Sequence, residues 1–275
     1  MAMSTEAERP YLAVCAIYRW ATEYLREWIV FHRLQGVERF FMYDNENDDD
    51  HLEVLRPFID DGSVVVHEWP HHPGQKLAFT DCIERHPDDA RWIAFIDCDE
   101  FLFSPTGKPL PEVLRRYEQW PGVGVNRRWM GTSFHREKPP GLVLENFTYG
   151  LDLPEPNRAI KSIVDPRRAE SCLNAHAFTY KDGALAVDEN ETPFEGWVAE
   201  SFDQEVLRLN HYFTKSEEEA LLKFSRPHAG YGPPRAPLNI KALRRRNENY
   251  AVPDDSVARW LPELRAELER IEKGE

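Results

Sequence analysis

The sequence has no long apolar run. Although 41% of the 275 residues are hydrophobic, no segment approaches the roughly 18 consecutive apolar residues that a membrane-spanning helix requires. The stretch from Met1 to Pro10 is polar and lacks the apolar core of a secretory signal. We therefore predict a cytoplasmic protein without a transmembrane span. This prediction leaves peripheral contact with a membrane surface open.

Cysteine is scarce. The four cysteines lie far apart and form no CxxC pair, so the spacing typical of zinc or dithiol sites is missing. Cys15, Cys82 and Cys98 stand in apolar segments, where buried reduced thiols are expected.

Positive charge is also in short supply. Lys and Arg number 34 against 48 Asp and Glu, which gives a formal net charge of -14. A chain with this charge repels nucleic acid, anionic lipid and free phosphate, and we expect no nucleic-acid partner. An anionic substrate would need a local counter-charge, supplied by basic side chains or by a bound metal ion.

Internal repeats and low-complexity tracts are absent from the sequence. The length and the 12% aromatic content are sufficient for one large domain with a sizeable core. We predict a main domain over residues 10–226. The C-terminal segment, residues 227–275, is expected to hold a proline-rich linker or lid (227–237) and a helix packed on the same domain.

The first hundred residues alternate strand and helix patterns. Strands are predicted at 11–17, 39–43, 63–69 and 92–96, and helices at 22–36, 51–60 and 75–85. This alternation predicts an α/β fold with a Rossmann-like, mostly parallel but mixed sheet flanked by helices. Ligands of such sheets bind beyond the carboxyl ends of the strands. The loops that begin at Tyr18, Asp44, His71 and Asp97 are therefore expected to form one crevice.

Beyond Phe103 the pattern is weaker. Further strands are predicted at 122–126, 141–149, 158–165, 176–180 and 206–211, and helices at 111–120, 214–224 and 255–273. Ser216 and Glu219 have the spacing of a capping box at the start of one of these helices.

An acidic cluster, Asp97-Cys98-Asp99-Glu100, directly follows the fourth predicted strand. Carboxylates two residues apart at a strand end can both reach one hard cation, and that cation can bridge diphosphate oxygens. A solvated turn explains the same spacing equally well. Asp48 and Asp50 also match D-x-D, but they stand in a charge run, which favours a solvated loop.

Several sequence blocks occur in a characteristic order. They are Glu23–Trp28 with Phe31-His32 and Gly36-Val37, Phe41–Asn45, Gln75 through Asp81-Cys82, Trp92–Leu102, Trp129–Ser133, Gly141–Phe147, Lys161–Pro166, and Asn210–Ser216 running on to Lys223. Together they cover roughly residues 11–230 and resemble the family 92 glycosyltransferases, a group that includes galactan synthases, and related bacterial proteins. The resemblance implies a GT-A fold, a UDP-sugar donor, dependence on Mn²⁺ (or Mg²⁺) and inversion at the anomeric carbon.

The resemblance also suggests metal ligands. Asp99 is expected to bind the metal, and Asp97 to bind it as well or to bridge to the ribose or to metal-bound water. His211 resembles the late histidine that supplies another metal ligand in GT-A enzymes, although a histidine packed in the core is the alternative. Gln75, at the start of one matching block, is assigned with Asp97 to donor binding.

Four further residues are candidates for binding the nucleotide. Lys215 and Ser216 open a predicted helix whose free amides and positive end favour phosphate, unless it is an ordinary capped surface helix. Asp44 would accept the uracil N–H or else cap its loop. Tyr18 would stack on the base or else pack in the core.

An inverting transfer needs a general base near the acceptor hydroxyl. Glu195, Asp203 and Asp165 are candidates, and spacing does not select among them. Lys161 and His176 are expected to reach phosphate or acceptor.

The function predicted from these residues and from the resemblance is metal-dependent transfer of a hexose, with galactose suggested, from a UDP-sugar to a hydroxyl of a glycan or glycolipid acceptor. One alternative is a sugar nucleotidyltransferase, which normally carries a glycine-rich phosphate loop after the first strand; the loop from Tyr18 to Glu23 has no glycine. The other alternative is a GT-A-fold binding protein that has lost turnover.

Overall fold

Strands and helices alternate along the first third of the chain. The structure of the protein, a computed structural model, describes residues 9–151, 158–199, 201–226, 236–248 and 252–274. Its first elements are β1 (Leu12–Tyr18), α1 (Thr22–Leu34), β2 (Arg39–Asp44), α2 (His51–Asp60), β3 (Val64–Glu68), α3 (Gln75–Arg85), β4 (Trp92–Phe95) and β5 (Glu100–Phe103). The bounds of α2 and α3 match the predicted ones, and those of β1 to β4 and α1 differ by one or two residues.

The later elements are shorter. The strands are β6 (Gly122–Trp129), β7 (Tyr149–Gly150), β8 (Ile160–Val164), β9 (Ala169–Cys172), β10 (Phe178–Tyr180), β11 (Ala186–Val187), β12 (Pro193–Phe194), β13 (Arg208–His211) and β14 (Val252–Pro253). The helices are α4 (Leu110–Leu114), α5 (Val143–Asn146), α6 (Glu217–Ser225), α7 (Ile240–Asn247) and α8 (Leu261–Lys273). Short 3₁₀ turns at Arg115–Tyr117 and Ala258–Trp260 extend α4 and precede α8.

Within the described ranges, the central sheet has 10 strands. Eight follow the order β12-β11-β6-β8-β4-β1-β2-β3, while β13 pairs with β6 and β5 pairs with β13. Strands β1 to β4 run parallel, and β8 runs antiparallel between β4 and β6. The predicted α/β fold, with a mostly parallel but mixed sheet flanked by helices, is confirmed. Because β8 is reversed, Lys161 near its start lies beside the carboxyl end of β4. Asp165, which follows β8, lies at the opposite end of the sheet.

Side chains of β1 pack against helices on both faces of the sheet. Successive side chains of a strand point to opposite faces. Leu12, Val14 and Ala16 belong to the apolar cluster that includes α1, α2 and α8, whereas Ala13 and Cys15 belong to the cluster that includes α3. All four cysteines are buried and free, as predicted for three of them.

The strand predicted at 141–149 is wrong. This segment forms the short helix α5 and then the two-residue strand β7. Glu27 of α1 accepts hydrogen bonds from the backbone N–H groups of Val143 and Leu144 at 2.8 and 2.9 Å. These are unpaired donors at a helix start, and their acceptor lies more than a hundred positions away. Strand β5 and helix α7 were also not predicted; β5 is paired by the distant β13.

The C-terminal helix packs on the main domain. Trp260, just before α8, lies edge-on to Phe31 and Phe103, with ring centroids 5.9 and 5.5 Å apart. The predicted linker falls mostly on residues 227–235, which lie outside the described ranges, and the division at residue 227 stays a prediction. Among the described residues, no helix combines the length and the apolar character needed to cross a bilayer.

Candidate active site

A cleft of about 350 Å³ opens at the carboxyl ends of β1 and β4. Its lining includes Tyr18 and Trp20 after β1, Asp97 and Asp99 after β4, Gln75 at the start of α3, His176, His211 at the end of β13, and Lys215 and Lys223 before and within α6. The predicted crevice is therefore formed by the loops after β1 and β4. Asp44 and His71 are not among the lining residues.

Asp97 is held by a lysine from β8. Gln75 Nε2 donates to Asp97 Oδ1 at 2.5 Å, and Lys161 Nζ lies 2.8 Å from Asp97 Oδ2. The same ammonium lies 3.3 Å from Glu100 Oε2, and both side chains are almost completely buried. Burial raises the pKa of both carboxyls; at Asp97, Lys161 and His211 together outweigh burial and the pKa is lowered, whereas the pKa of Glu100 is raised. Asp97 is thus kept ionised at the cleft.

Asp99 divides its two carboxylate oxygens between two partners. Lys223 Nζ lies 2.5 Å from Oδ2, and His211 Nε2 lies 3.4 Å from Oδ1. Burial opposes ionisation, but Lys223 and then His211 outweigh it and hold the pKa of Asp99 well below its usual range. The backbone N–H of Tyr212 donates to the Asp99 carbonyl at 2.8 Å, which fixes this loop to β13.

Asp99 Oδ1 and His211 Nε2 fit a shared divalent cation. Two ligands at about 2.2 Å from one ion, at right angles, lie about 3 Å apart, close to the observed 3.4 Å. In the part of the chain that the structure describes, no group of three or more His, Cys, Asp and Glu side chains is arranged to hold a metal ion. Asp97 directs its oxygens to Gln75 and Lys161 instead. The fit is therefore to two protein ligands, with other positions left to phosphate oxygens and water.

Basic side chains surround the acidic pair. The cleft lining carries Arg19, Arg127, Lys215, Lys223 and Arg226. Arg127 is only 9% exposed, and its Nε has no hydrogen-bond acceptor among the described residues. The pKa of Lys215 is lowered because the ammonium is buried. This concentration of cations in a chain of net charge -14 is the local counter-charge that an anionic substrate requires.

Of the two remaining candidates for nucleotide binding, the structure places Tyr18 at the cleft and Asp44 away from it. Tyr18 lines the cleft, and its buried hydroxyl has no partner in the described ranges. Asp44 Oδ1 accepts hydrogen bonds from the backbone and side chain of Asn47 at 3.0 and 2.7 Å, and its Oδ2 lies 3.0 Å from His51 Nε2. These contacts correspond to the loop-capping alternative.

At the start of α6 the structure shows the capped helix that was the alternative to a phosphate site. Ser216 and Glu219 form the predicted capping box, and all three residues of the first turn are glutamates. The positive end of the helix is thus already balanced by carboxylates. The observed arrangement disfavours phosphate binding at Ser216, while Lys215 remains at the cleft.

None of the three candidate bases lines the cleft. Glu195 is exposed in the turn after β12, and Asp203 accepts a hydrogen bond from Asn190 at 2.6 Å; both stay predictions. Asp165 is corrected to a structural residue, because the reversed direction of β8 places it at the far end of the sheet. There it lies 2.8 Å from Arg91 and 3.0 Å from Arg167.

Comparison with known proteins identifies the family. The model of glycosyltransferase family 92 matches residues 11–224. The chain belongs to glycosyltransferase family 92. It is 33% identical over 226 residues to a family 92 protein of Oryza sativa subsp. japonica, covering 80% of this chain and 36% of that protein. It is 29% identical over 119 residues to a galactan β-1,4-galactosyltransferase of Arabidopsis thaliana, covering 40% of this chain and 23% of that protein.

The match to longer relatives is partial. The chain spans 36% to 39% of the length of the first three curated relatives. A crystal structure of GalNAc-T7 with UDP, GalNAc and Mn²⁺ aligns at a TM-score of 0.40 and 11% identity, over 94% of this chain and 57% of that chain.

Sequence reasoning about this family 92 member did not single out Arg127 or Glu100, and it quoted Lys223 only as the end of a matching block. For Arg127 the sequence did contain one indication of a functional role. Arg127 and Arg128 stand at the end of an apolar strand of an acidic chain, where charged side chains are rarely buried without a partner. The partner of Lys223 could not be read from the sequence, because Asp99 is 124 positions away.

Proposed function

We propose that the protein is a GT-A-type glycosyltransferase that moves a hexose from a UDP-sugar to a hydroxyl of a glycan or glycolipid, with inversion and with a divalent cation, Mn²⁺ or Mg²⁺. The observation that carries the proposal is the pair formed by Asp99 Oδ1 and His211 Nε2, 3.4 Å apart in a cleft lined by cations. Membership of glycosyltransferase family 92 supports the reaction class.

The side chains of the cleft supply complementary charge for a nucleoside diphosphate. Asp99 and His211 would hold the cation, which when bound would neutralise the negative charge that develops on the departing UDP. Lys215, Lys223 and Arg127 would contact the diphosphate oxygens directly as fixed donors. Lys161 and Gln75 hold Asp97 in one orientation, so this carboxylate is positioned before the donor arrives.

Galactose is the first sugar to test. The similarity to a galactan β-1,4-galactosyltransferase motivates UDP-galactose as donor and a β-1,4-linked galactan oligosaccharide as acceptor. The cleft alone selects neither the donor sugar nor the acceptor, because the residues around Asp99 would contact the diphosphate rather than the sugar.

The test is release of UDP from a panel of UDP-sugars, with Mn²⁺, with Mg²⁺ and with EDTA, in the presence and absence of β-1,4-galactotetraose. We expect release with one UDP-hexose, loss of release with EDTA and recovery when Mn²⁺ is restored. The anomeric configuration of the new glycosidic bond in the oligosaccharide product, measured by proton NMR and compared with that of the donor, reports inversion. UDP release that is unaffected by chelation would contradict the role of Asp99 and His211. No release with any donor would contradict the proposed reaction.

A further inference from the structure

Trp197 is an exposed aromatic side chain beside the cleft. Its residue is 48% exposed, although burying an indole is favourable by about 2 kcal/mol or more. Its backbone is fixed nonetheless. The N–H of Ile160, the first residue of β8, donates to the Trp197 carbonyl at 3.0 Å, and the neighbouring Val198 forms an antiparallel bridge with Ala159. A segment anchored to β8 by its backbone therefore leaves a large apolar ring about half exposed to solvent.

His176 lies between this indole and the cleft. The His176 and Trp197 rings have centroids 5.9 Å apart and planes inclined by 32°, and His176 belongs to the cleft lining. His176 Nδ1 lies 2.9 Å from the Ile160 carbonyl oxygen. A carbonyl only accepts, so Nδ1 carries the proton and Nε2 is an acceptor. Burial first, and then the charges of Lys161 and Arg127, lower the pKa of His176 to about 3, so the ring is neutral at physiological pH.

The position of these rings separates them from the nucleotide side of the cleft. In the sheet, β1 and β8 flank β4 on opposite sides. Tyr18 and Trp20 follow β1, whereas His176 and Trp197 are hydrogen-bonded to the first residue of β8. An indole face and a neutral hydrogen-bond acceptor suit an uncharged pyranose: the ring C–H groups stack on the indole, and a hydroxyl donates to the imidazole.

We propose that Trp197 and His176 form the acceptor subsite, which takes a pyranose with an apolar C–H face, such as a β-galactoside. This inference rests on the proposed glycosyl transfer and adds to it the residues and chemical class of the acceptor. The apolar face of the sugar lies on the indole of Trp197, and one sugar hydroxyl donates to His176 Nε2.

The kinetic test separates acceptor binding from donor binding. Trp197→Ala should raise the KM for β-1,4-galactotetraose about tenfold or more and leave the KM for UDP-galactose within about twofold. Trp197→Phe, which keeps an aromatic face, should recover most of the loss. Phe134→Ala is the matched control, because Phe134 is also exposed, at 63%, and does not contact His176. An unchanged acceptor KM in Trp197→Ala, or an equal rise in the donor KM, would overturn the proposal.

A binding measurement keeps this result independent of turnover. The ¹⁵N-indole NMR signal of Trp197, identified by its loss in Trp197→Phe, should shift when β-1,4-galactobiose is added, and His176→Phe should weaken that binding. If the protein shows no turnover with any UDP-sugar but this signal still shifts, the proposed function fails and the sugar subsite stands. If the signal moves with neither galactobiose nor methyl β-galactoside, the subsite proposal is wrong.

Discussion

The two ends of β8 carry ion clusters of opposite composition, one cation between two carboxylates and one carboxylate between two cations. At its start, Lys161 lies between Asp97 and Glu100 beside the cleft. After its last residue, Asp165 lies between Arg91 and Arg167, away from the cleft. Lys161 and Asp165, four positions apart, thus belong to a candidate catalytic cluster and to a structural one.

The difference lies in how completely each carboxylate is satisfied. Asp165 Oδ1 accepts from the backbone N–H and the Nε of Arg167 at 3.2 and 3.0 Å, and Oδ2 accepts from Arg167 Nη2 at 3.1 Å. At the cleft, Glu100 Oε1 has no hydrogen-bond partner among the described residues, and Asp99 Oδ1 faces an imidazole at 3.4 Å. Carboxylate oxygens left without a hydrogen bond near a cleft indicate a ligand site, whereas a carboxylate with both oxygens hydrogen-bonded indicates a role in stability.

The largest expected effect is at the cleft end. Asp99→Ala should lower Mn²⁺-dependent UDP release about thousandfold, because it removes one of two protein ligands of the cation. The free energy of unfolding should change by no more than about 1 kcal/mol, since Lys223 can turn toward solvent. Turnover and urea denaturation, measured on the same preparation, check the loss of activity and the small change in stability. Near-normal turnover in Asp99→Ala would show that the cleft end of β8 is not the catalytic one.

The opposite pattern is expected at the far end of the strand. Asp165→Ala should lower the free energy of unfolding by about 3 to 5 kcal/mol, because it leaves the largely buried Arg91 without its carboxylate. Turnover per folded molecule should stay within about twofold. Asp48→Ala, in an exposed loop, is the control and should cost less than about 0.5 kcal/mol. A loss of turnover in folded Asp165→Ala would contradict a purely structural role.

His32 extends the comparison to a closed polar network within the core. Its Nδ1 lies 2.7 Å from the Trp28 carbonyl, and its Nε2 accepts from the Leu102 N–H at 3.0 Å, while burial lowers the pKa of His32 to about 3. The unfolded chain binds this proton near pH 6.5 and the native state does not, so stability is lost as the pH falls from about 6.5 toward 3.

Between pH 7 and pH 4.5 this single group should lower the free energy of unfolding by about 2.5 kcal/mol. His32→Gln should be less stable at pH 7 but should lose less stability on acidification than the wild type. The comparison isolates His32, because other groups with shifted pKa values, such as Glu27 and His176, are common to both proteins. Urea denaturation at the two pH values measures the difference, and parallel losses would show that His32 is not responsible.

The smallest effect is expected at Lys223, whose side chain is 30% exposed. Lys223→Met should raise the KM for the UDP-sugar about tenfold, since it removes one charge-assisted contact to phosphate. Unfolding should change by less than about 1 kcal/mol. Lys161→Met is the counterpart, and it should destabilise the fold more, because Asp97 and Glu100 would lose a buried counter-charge. Equal stability losses in the two variants would show that burial does not distinguish these lysines.

Part of the site could be predicted because local sequence contains it. The apolar run from Trp92 to Ile96 followed by Asp97 and Asp99 placed two carboxylates at a strand end, and the parallel alternation placed that end at a ligand-binding edge. Local sequence did not give the partners of those carboxylates, and His211 was placed with Asp99 only through the family resemblance. Lys161, His211 and Lys223 reach them from 64 to 124 positions away, and each depends on strand directions that periodicity does not encode. Asp165 shows the same limit, since it was a candidate base only while the direction of β8 was unknown.

The sequence by itself determined the α/β alternation, the capping box at Ser216 and the acidic pair after β4, because each rests on patterns within single helices, turns or strands. Tertiary structure alone decided which end of β8 faces the cleft, which lysine neutralises which carboxylate, and that Glu27 caps the start of α5. These features join residues far apart in the chain, and their energies depend on burial and distance, which exist only after the sheet has formed.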